Sequence, residues 1–205
     1  MYVSKPLATK VAMSVLTSIP TAASLLGNGF ILAVVGRFKK LRTVPNILVA
    51  NLALVDLLNS IINTPLAMMS VLEVNWFKGR TLAILANFSQ RLFTALNHVS
   101  MLVMMANVYL AIAFDLRYLA WKTKKKMLFC CFLIWLIDIV AVSLHTVPLL
   151  DINLGDASVH EYRTEIFKRG KYFSVTFSTL SIISLAVLGF LTSCAIKKKK
   201  KEVTS

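Results

Sequence analysis

Asp56 is the residue whose type conflicts most with its surroundings. It ends the run Asn51-Leu52-Ala53-Leu54-Val55-Asp56, inside an apolar stretch of about 45–70. A carboxylate buried in such a stretch costs roughly 2.5–3.5 kcal/mol on insertion scales, so it needs polar partners or water and reads as functional. Asn28 and Asn97 lie in the apolar stretches on either side. An amide on one helix that hydrogen-bonds an acid on the next lowers the cost of burying both. Asn28, Asp56 and Asn97 are therefore a candidate polar cluster, with stabilisation of helix packing as its plain role. A second set, Gln90, Arg91, Thr94, Asn97 and His98, recurs at intervals of three and four, which places it on one face of a helix. Arg91 stands out: its guanidinium can pair with an acidic group of a ligand, snorkel to the membrane interface, or pair with Asp138. His98 and His145 read as buried packing residues, because no metal-ligand spacing accompanies them. The chain has no Gly-rich phosphate loop, metal-binding His pair or nucleophile elbow, so it reads as no enzyme, with no cofactor and no metal.

The elements that hold these residues follow from composition. Of the 205 residues, 57% are hydrophobic and 16% charged, with a mean hydropathy of +0.72, too apolar for a soluble domain. A helical span needs about 20 predominantly apolar residues. Five stretches qualify, at about 11–36, 45–70, 82–113, 127–150 and 172–196. None alternates with the period of a barrel strand, which leaves helices as the way to satisfy the backbone in lipid. The predicted fold is an all-α polytopic membrane protein of five transmembrane helices.

A net charge of +14 raises the question of nucleic acid, and its distribution answers it. Fourteen of the 23 Lys and Arg residues follow the first, third and fifth stretches, as Arg37 to Arg42, Arg117 to Lys126 and Lys197 to Lys201. Such a bias places those loops in the cytoplasm. The N-terminus is then outside and the C-terminus cytoplasmic, with the lysine runs facing lipid headgroups and no nucleic-acid partner. The first stretch reads as an uncleaved signal-anchor. Cys130, Cys131 and Cys194 lie near cytoplasmic span ends, where disulfides are not expected. The mixed-charge segment 151–171 reads as an extracellular link, and Pro20 is placed to kink the first span.

Several motifs, in register along the chain, resemble the rhodopsin-like (class A) G-protein-coupled receptors. Gly27-Asn28 looks like the Gly-Asn of helix 1, and Lys40 to Asn46 like the first cytoplasmic loop running into helix 2. Asn51 to Asp56 matches the helix-2 signature, and Trp76 with Gly79 the Trp-x-x-Gly of the first extracellular loop. Tyr109 to Ile112 and Leu116-Arg117-Tyr118 match the end of helix 3 and its loop, and Trp135 matches the helix-4 tryptophan.

The resemblance implies helices 1–5 of a seven-helix bundle: one rhodopsin-like domain over 1–205, incomplete. It implies an extracellular ligand, a heterotrimeric G protein inside, and a multi-pass place in the plasma membrane. Gln90, Arg91 and Thr94 become the ligand-pocket candidates. An amine ligand is disfavoured, since amine receptors of the family carry Asp where Gln90 falls. Asn51 and Trp135 resemble a structural contact between helices 2 and 4. The helix-3 Asp-Arg-Tyr motif is reduced here to Asn107, Val108 and Tyr109, with Leu116 and Arg117 as further remnants of the G-protein side. Both motif charges are gone, the cysteine expected near Ala83 is absent, and 172–196 lacks the usual proline. The resemblance thus implies receptor activity impaired in this form. The alternative is a non-signalling membrane partner that pairs with a full-length receptor. A transporter using Asp56, Arg91 and Asp138 as a charge path is disfavoured by the lack of internal repeats.

Overall fold

The structure is a computed structural model that describes residues 6–72, 80–114, 118, 122–147 and 159–204. Trp76, Gly79, Asp115, Leu116, Arg117 and Pro148 lie outside them. Five helices follow in order: α1 (Leu7–Arg37), α2 (Val44–Leu72), α3 (Arg80–Ala113), α4 (Lys124–Thr146) and α5 (Val159–Thr204). A 3-10 turn, Lys39–Leu41, joins α1 to α2. All five are long and apolar enough to cross a membrane. No strand occurs among the described residues.

Side chains supply partners for orphan backbone groups at the start of α4 and around the turn from α1 into α2. The Thr123 side chain caps α4, accepting from the Lys126 amide at 3.3 Å. Arg42 reaches back to the last turn of α1, where its guanidinium donates to the carbonyls of Val35 and Gly36. Asn46 donates to the Leu41 carbonyl at 2.7 Å and closes the tight turn into α2. Pro20 and Pro65 lie inside α1 and α2 without ending them. Around Pro20, Ser18 and Thr21 donate their hydroxyls to the carbonyls one turn back, at 2.7 Å each.

The expected spans are present, and the ends of α4 and α5 differ from those expected. The segment 151–171 reads as a link in the sequence, yet the α5 helix already runs from Val159. Glu165 precedes Lys168 and Arg169 by three and four residues, a spacing that supports a helix outside lipid. Lysine is a good helix former, so α5 also continues through the basic run to Thr204. At the other extreme α4 ends at Thr146, short of the expected 150.

α2 packs on α1, α3 and α4, while α3 packs on α2, α4 and α5, so these two helices form the centre. Val55, Phe93, Leu96 and Ile134 make one apolar core where α2, α3 and α4 meet. Val44, Leu48, Met127 and Cys131 make a second, nearer the basic end of the bundle. α1 buries no residue fully. Its Leu16 and Phe30, and Phe129 and Phe132 on α4, point outward as lipid-facing side chains do.

Candidate functional site

α2 carries Asn51, Asp56, Asn59, Ser60 and Asn63, and these face three different helices. At the centre, Asn97 of α3 donates its amide to Oδ1 of the half-buried Asp56. Asn28 does not join them. Its Nδ2 donates to Ser24 Oγ within α1, at 3.1 Å. Direct hydrogen bonds between α1 and α2 are made instead by Ser60, whose hydroxyl donates to Ser24 Oγ at 2.8 Å, and by Thr21, whose hydroxyl donates to Thr64 Oγ1 at 3.4 Å. An amide on a helix finds a hydroxyl one turn away at no cost in helix rotation, and that local partner wins over a carboxylate on the next helix. Residue type alone does not single out Ser24 and Ser60. Each stands four residues from a conspicuous polar residue, Asn28 and Asp56, and that spacing is the one signal the sequence offers.

A second seam between α2 and α3 is equally hidden in the sequence. Ser89 donates to Asn63 Oδ1 at 2.7 Å, and Asn63 donates to Asn59 Oδ1 at 2.7 Å. Ser89 belongs to a glycosylation sequon by pattern, Asn87-Phe88-Ser89, yet it sits inside α3 and turns its hydroxyl to α2.

Asn51 is the junction of three helices. Its Nδ2 donates to Ser100 Oγ on α3 at 2.8 Å, and its Oδ1 accepts from Trp135 Nε1 on α4 at 3.0 Å. Both amide ends are used, and the side chain is buried.

Arg91 is half-buried on α3, and its Nε donates to Asn87 Oδ1 at 2.5 Å. Nη1 is buried and has no hydrogen-bond partner among the described residues. The alternative pairing of Arg91 with Asp138 does not form. Asp138 is 6% exposed on the inner face of α4, and its Oδ2 likewise lacks a partner among the described residues. Arg91 bonds Asn87 on its own helix instead. Gln90 and Thr94, the other two pocket candidates, are exposed, and Thr94 donates back to the Gln90 carbonyl at 2.8 Å. His98 sits with Nδ1 2.7 Å from the Thr94 carbonyl and its ring edge-on to Phe177 of α5, 5.9 Å away. That contact helps tie α5 to α3.

At the basic end, Asn107 is buried and accepts a hydrogen bond from the Tyr118 hydroxyl at 3.0 Å. The Lys122 ammonium lies over the Tyr118 ring, 5.2 Å from its centre. Tyr118 thus links Asn107 of α3 to Lys122 just ahead of α4. Val108 is exposed, and Tyr109 lines a cleft between α3 and α5. Burial, with the Cys130 thiol as a lesser influence, raises the Tyr118 phenol above its ordinary value, and burial lowers the Lys122 ammonium. A raised phenol contributes stability that is full below about pH 10 and fades as pH climbs through the folded value. Tyr118→Phe is expected to cost about 0.5–1.5 kcal/mol near neutral pH. It should also remove this residue's share of the alkaline loss. Thermal unfolding of the two proteins in detergent at pH 7 and pH 10.5 measures both; a Tyr118→Phe protein as stable as the parent at pH 7 would count against the contact.

Against this geometry, a family model described as 7 transmembrane receptor (rhodopsin family) matches residues 27–196. The 5-hydroxytryptamine receptor 1B of Vulpes vulpes is 32% identical over 130 residues, which cover 63% of this chain and 33% of that receptor. The same receptor of Homo sapiens is 31% identical over 130 residues, with equal coverage. Melanopsin-B of Xenopus laevis is 29% identical over 119 residues, covering 58% of this chain and 22% of its own. The chain therefore spans about a third of the length of the 5-hydroxytryptamine receptors and about a fifth of that of the melanopsin it matches.

Proposed function

The chain belongs to the rhodopsin family of seven-transmembrane receptors, and from that premise we propose that it serves extracellular ligand sensing at the plasma membrane. The N-terminus is outside and the basic end cytoplasmic, where a heterotrimeric G protein is the partner. The observation that carries the ligand side is Arg91: a half-buried guanidinium with a buried Nη1 that has no partner among the described residues. A desolvated donor of this kind is satisfied by an anion, so the ligand carries an acidic group, with Gln90 and Thr94 beside it. The amine implied by the name 5-hydroxytryptamine receptor does not transfer, because Gln90 offers no negative charge to an ammonium. Coupling is weak on this reading: Asn107 and Val108 replace the charged pair of the family motif, and Asn107 is already occupied by Tyr118. Tyr109, Leu116 and Arg117 remain as the G-protein side, and Asp56 with Asn97 as the polar cluster behind it.

Nucleotide exchange on co-expressed heterotrimeric G proteins, with matched panels of anionic and cationic small molecules, tests this. A small response to anionic compounds that Arg91→Gln abolishes is expected. A response to amines, unchanged in Arg91→Gln, overturns the ligand assignment. A second reading is favoured by the incomplete cover over Asp56 and by α1, which buries no residue fully. On that reading the chain pairs with a full-length receptor without signalling. Silence toward every compound, together with co-purification of such a receptor, would select it.

A further inference from the structure

The inward face of α4 is Met127, Cys131, Ile134, Asp138, Val142 and Thr146, all buried and spaced by three and four residues. Ile134 packs with Phe93 and Leu96 of α3, and Leu92 lies against the same core. Asp138 follows one turn further from the basic end, and Arg91 directly precedes Leu92 on α3. His145, two turns beyond Asp138, feels the Arg91 charge. The guanidinium and the carboxylate therefore belong to one stretch of the α3–α4 interface, between the Ile134 core and His145. They do not satisfy each other. Arg91 Nε is committed to Asn87, and Arg91 Nη1 and Asp138 Oδ2 are both buried without a hydrogen-bond partner among the described residues.

We propose that these two groups hold a zwitterion, an α-amino acid with an uncharged side chain, whose carboxylate meets Arg91 and whose ammonium meets Asp138. The inference rests on the reading that Arg91 takes the acidic group of the ligand, and it adds a second charge to that ligand. Two desolvated charges of opposite sign, each without a partner, are costly, and such costs persist where they serve a site. A plain anion would satisfy Arg91 and set a second negative charge near the unpaired carboxylate. A plain cation would repeat the fault at Arg91. A zwitterion gives each group a charge-assisted hydrogen bond and leaves the interface neutral. Asp138 is 6% exposed, so the ammonium reaches it only as the outer turns of α3 and α4 part. The relief of both charges drives that parting.

The full chain in phosphatidylcholine nanodiscs tests this, with the rise in unfolding temperature on ligand addition as the readout. The probes are the amino acids with uncharged side chains, at millimolar concentration. Each is compared with its analogues lacking one charge, such as phenethylamine and hydrocinnamate for phenylalanine. At least one amino acid is expected to bind about tenfold tighter than either of its analogues. Asp138→Asn should weaken it about tenfold or more and leave the carboxylate analogue within about threefold. Asp138→Glu, which keeps the charge, should retain the preference, and Arg91→Gln should weaken both compounds. If the carboxylate analogue binds as tightly as the amino acid, and Asp138→Asn changes neither, the zwitterion is overturned while the anion reading stands. Silence toward every amino acid also overturns the zwitterion. Silence toward the carboxylate analogues as well, or tightest binding by the amines, removes both readings.

Discussion

Asn51→Leu is expected to unfasten α4 from the rest of the bundle and to produce the largest loss of stability of any single substitution in the polar interior. The change removes both ends of the junction at once. Trp135 Nε1 and Ser100 Oγ, on α4 and α3, lose their partner together. Interhelical hydrogen bonds inside membranes average about 0.6 kcal/mol and reach about 1.7 kcal/mol. A buried donor left without an acceptor adds about 1–3 kcal/mol. Together these suggest a loss of about 2–4 kcal/mol, most of it through the indole N–H. Two partial variants separate the contributions. Ser100→Ala is expected to cost little, because the Asn51 amide keeps its bond to Trp135. Trp135→Phe should cost more, since it takes away both the indole donor and part of the packing around Ile134. Reversible unfolding in mixed micelles, followed by helicity, gives the three values. If Asn51→Leu were no worse than Ser100→Ala, the junction would not be a main fastening of α4.

Asp138→Asn is expected to stabilise the chain, the opposite sign from most core substitutions. Asp138 lies deep in α4, packed inward with Ile134 and Val142 on the same face, and its Oδ2 has no partner among the described residues. A carboxylate at the centre of a span costs roughly 2.5–3.5 kcal/mol to insert. The amide keeps the shape and sheds the charge, for an expected gain of about 1–2 kcal/mol relative to that cost. Asp138→Leu gains more in transfer and loses part of it to overpacking, which typically costs about 1–3 kcal/mol. Unfolding of the purified chain in detergent reads the sign directly. A loss of stability in Asp138→Asn would mean that the carboxylate is paired in the membrane. Arg91 is then the cation to test, since its Nη1 is also without a partner among the described residues. In that case the double change Arg91→Gln/Asp138→Asn should restore what the single change removes.

Some of these groups are legible from residue type and register alone. Asn51 and Trp135 pair by their motif positions, and the two side chains meet at 3.0 Å. Asp56 announces a need for a polar partner, and Asn97, at the right depth on the next helix, supplies it. Asn28 carries the same announcement and goes to Ser24 instead, because a hydroxyl one turn away competes with an acid across an interface. Arg91 and Asp138 suggest an ion pair by charge and depth, yet the guanidinium bonds Asn87 instead. Tyr118 stands in the sequence only as part of a loop motif. Its role as the link between Asn107 and Lys122 depends on where its side chain falls against α3.

The division has a physical basis. Apolar length and the inability of lipid to satisfy a backbone dictate helices, so the amino-acid sequence by itself determines the five spans. The clustering of lysine and arginine after alternate spans likewise predicts one basic end. Which polar groups meet is a different problem. A hydrogen bond is lost when donor and acceptor move apart by about half an ångström, and helix rotation, crossing and rotamer choice all act on that scale. Sequence spacing fixes the face of a helix but not its rotation against a neighbour. Only the packed bundle decides that Ser60 meets Ser24, that Asn51 holds three helices, and that Lys198 and Lys199 turn into a cleft their neighbouring lysines do not line.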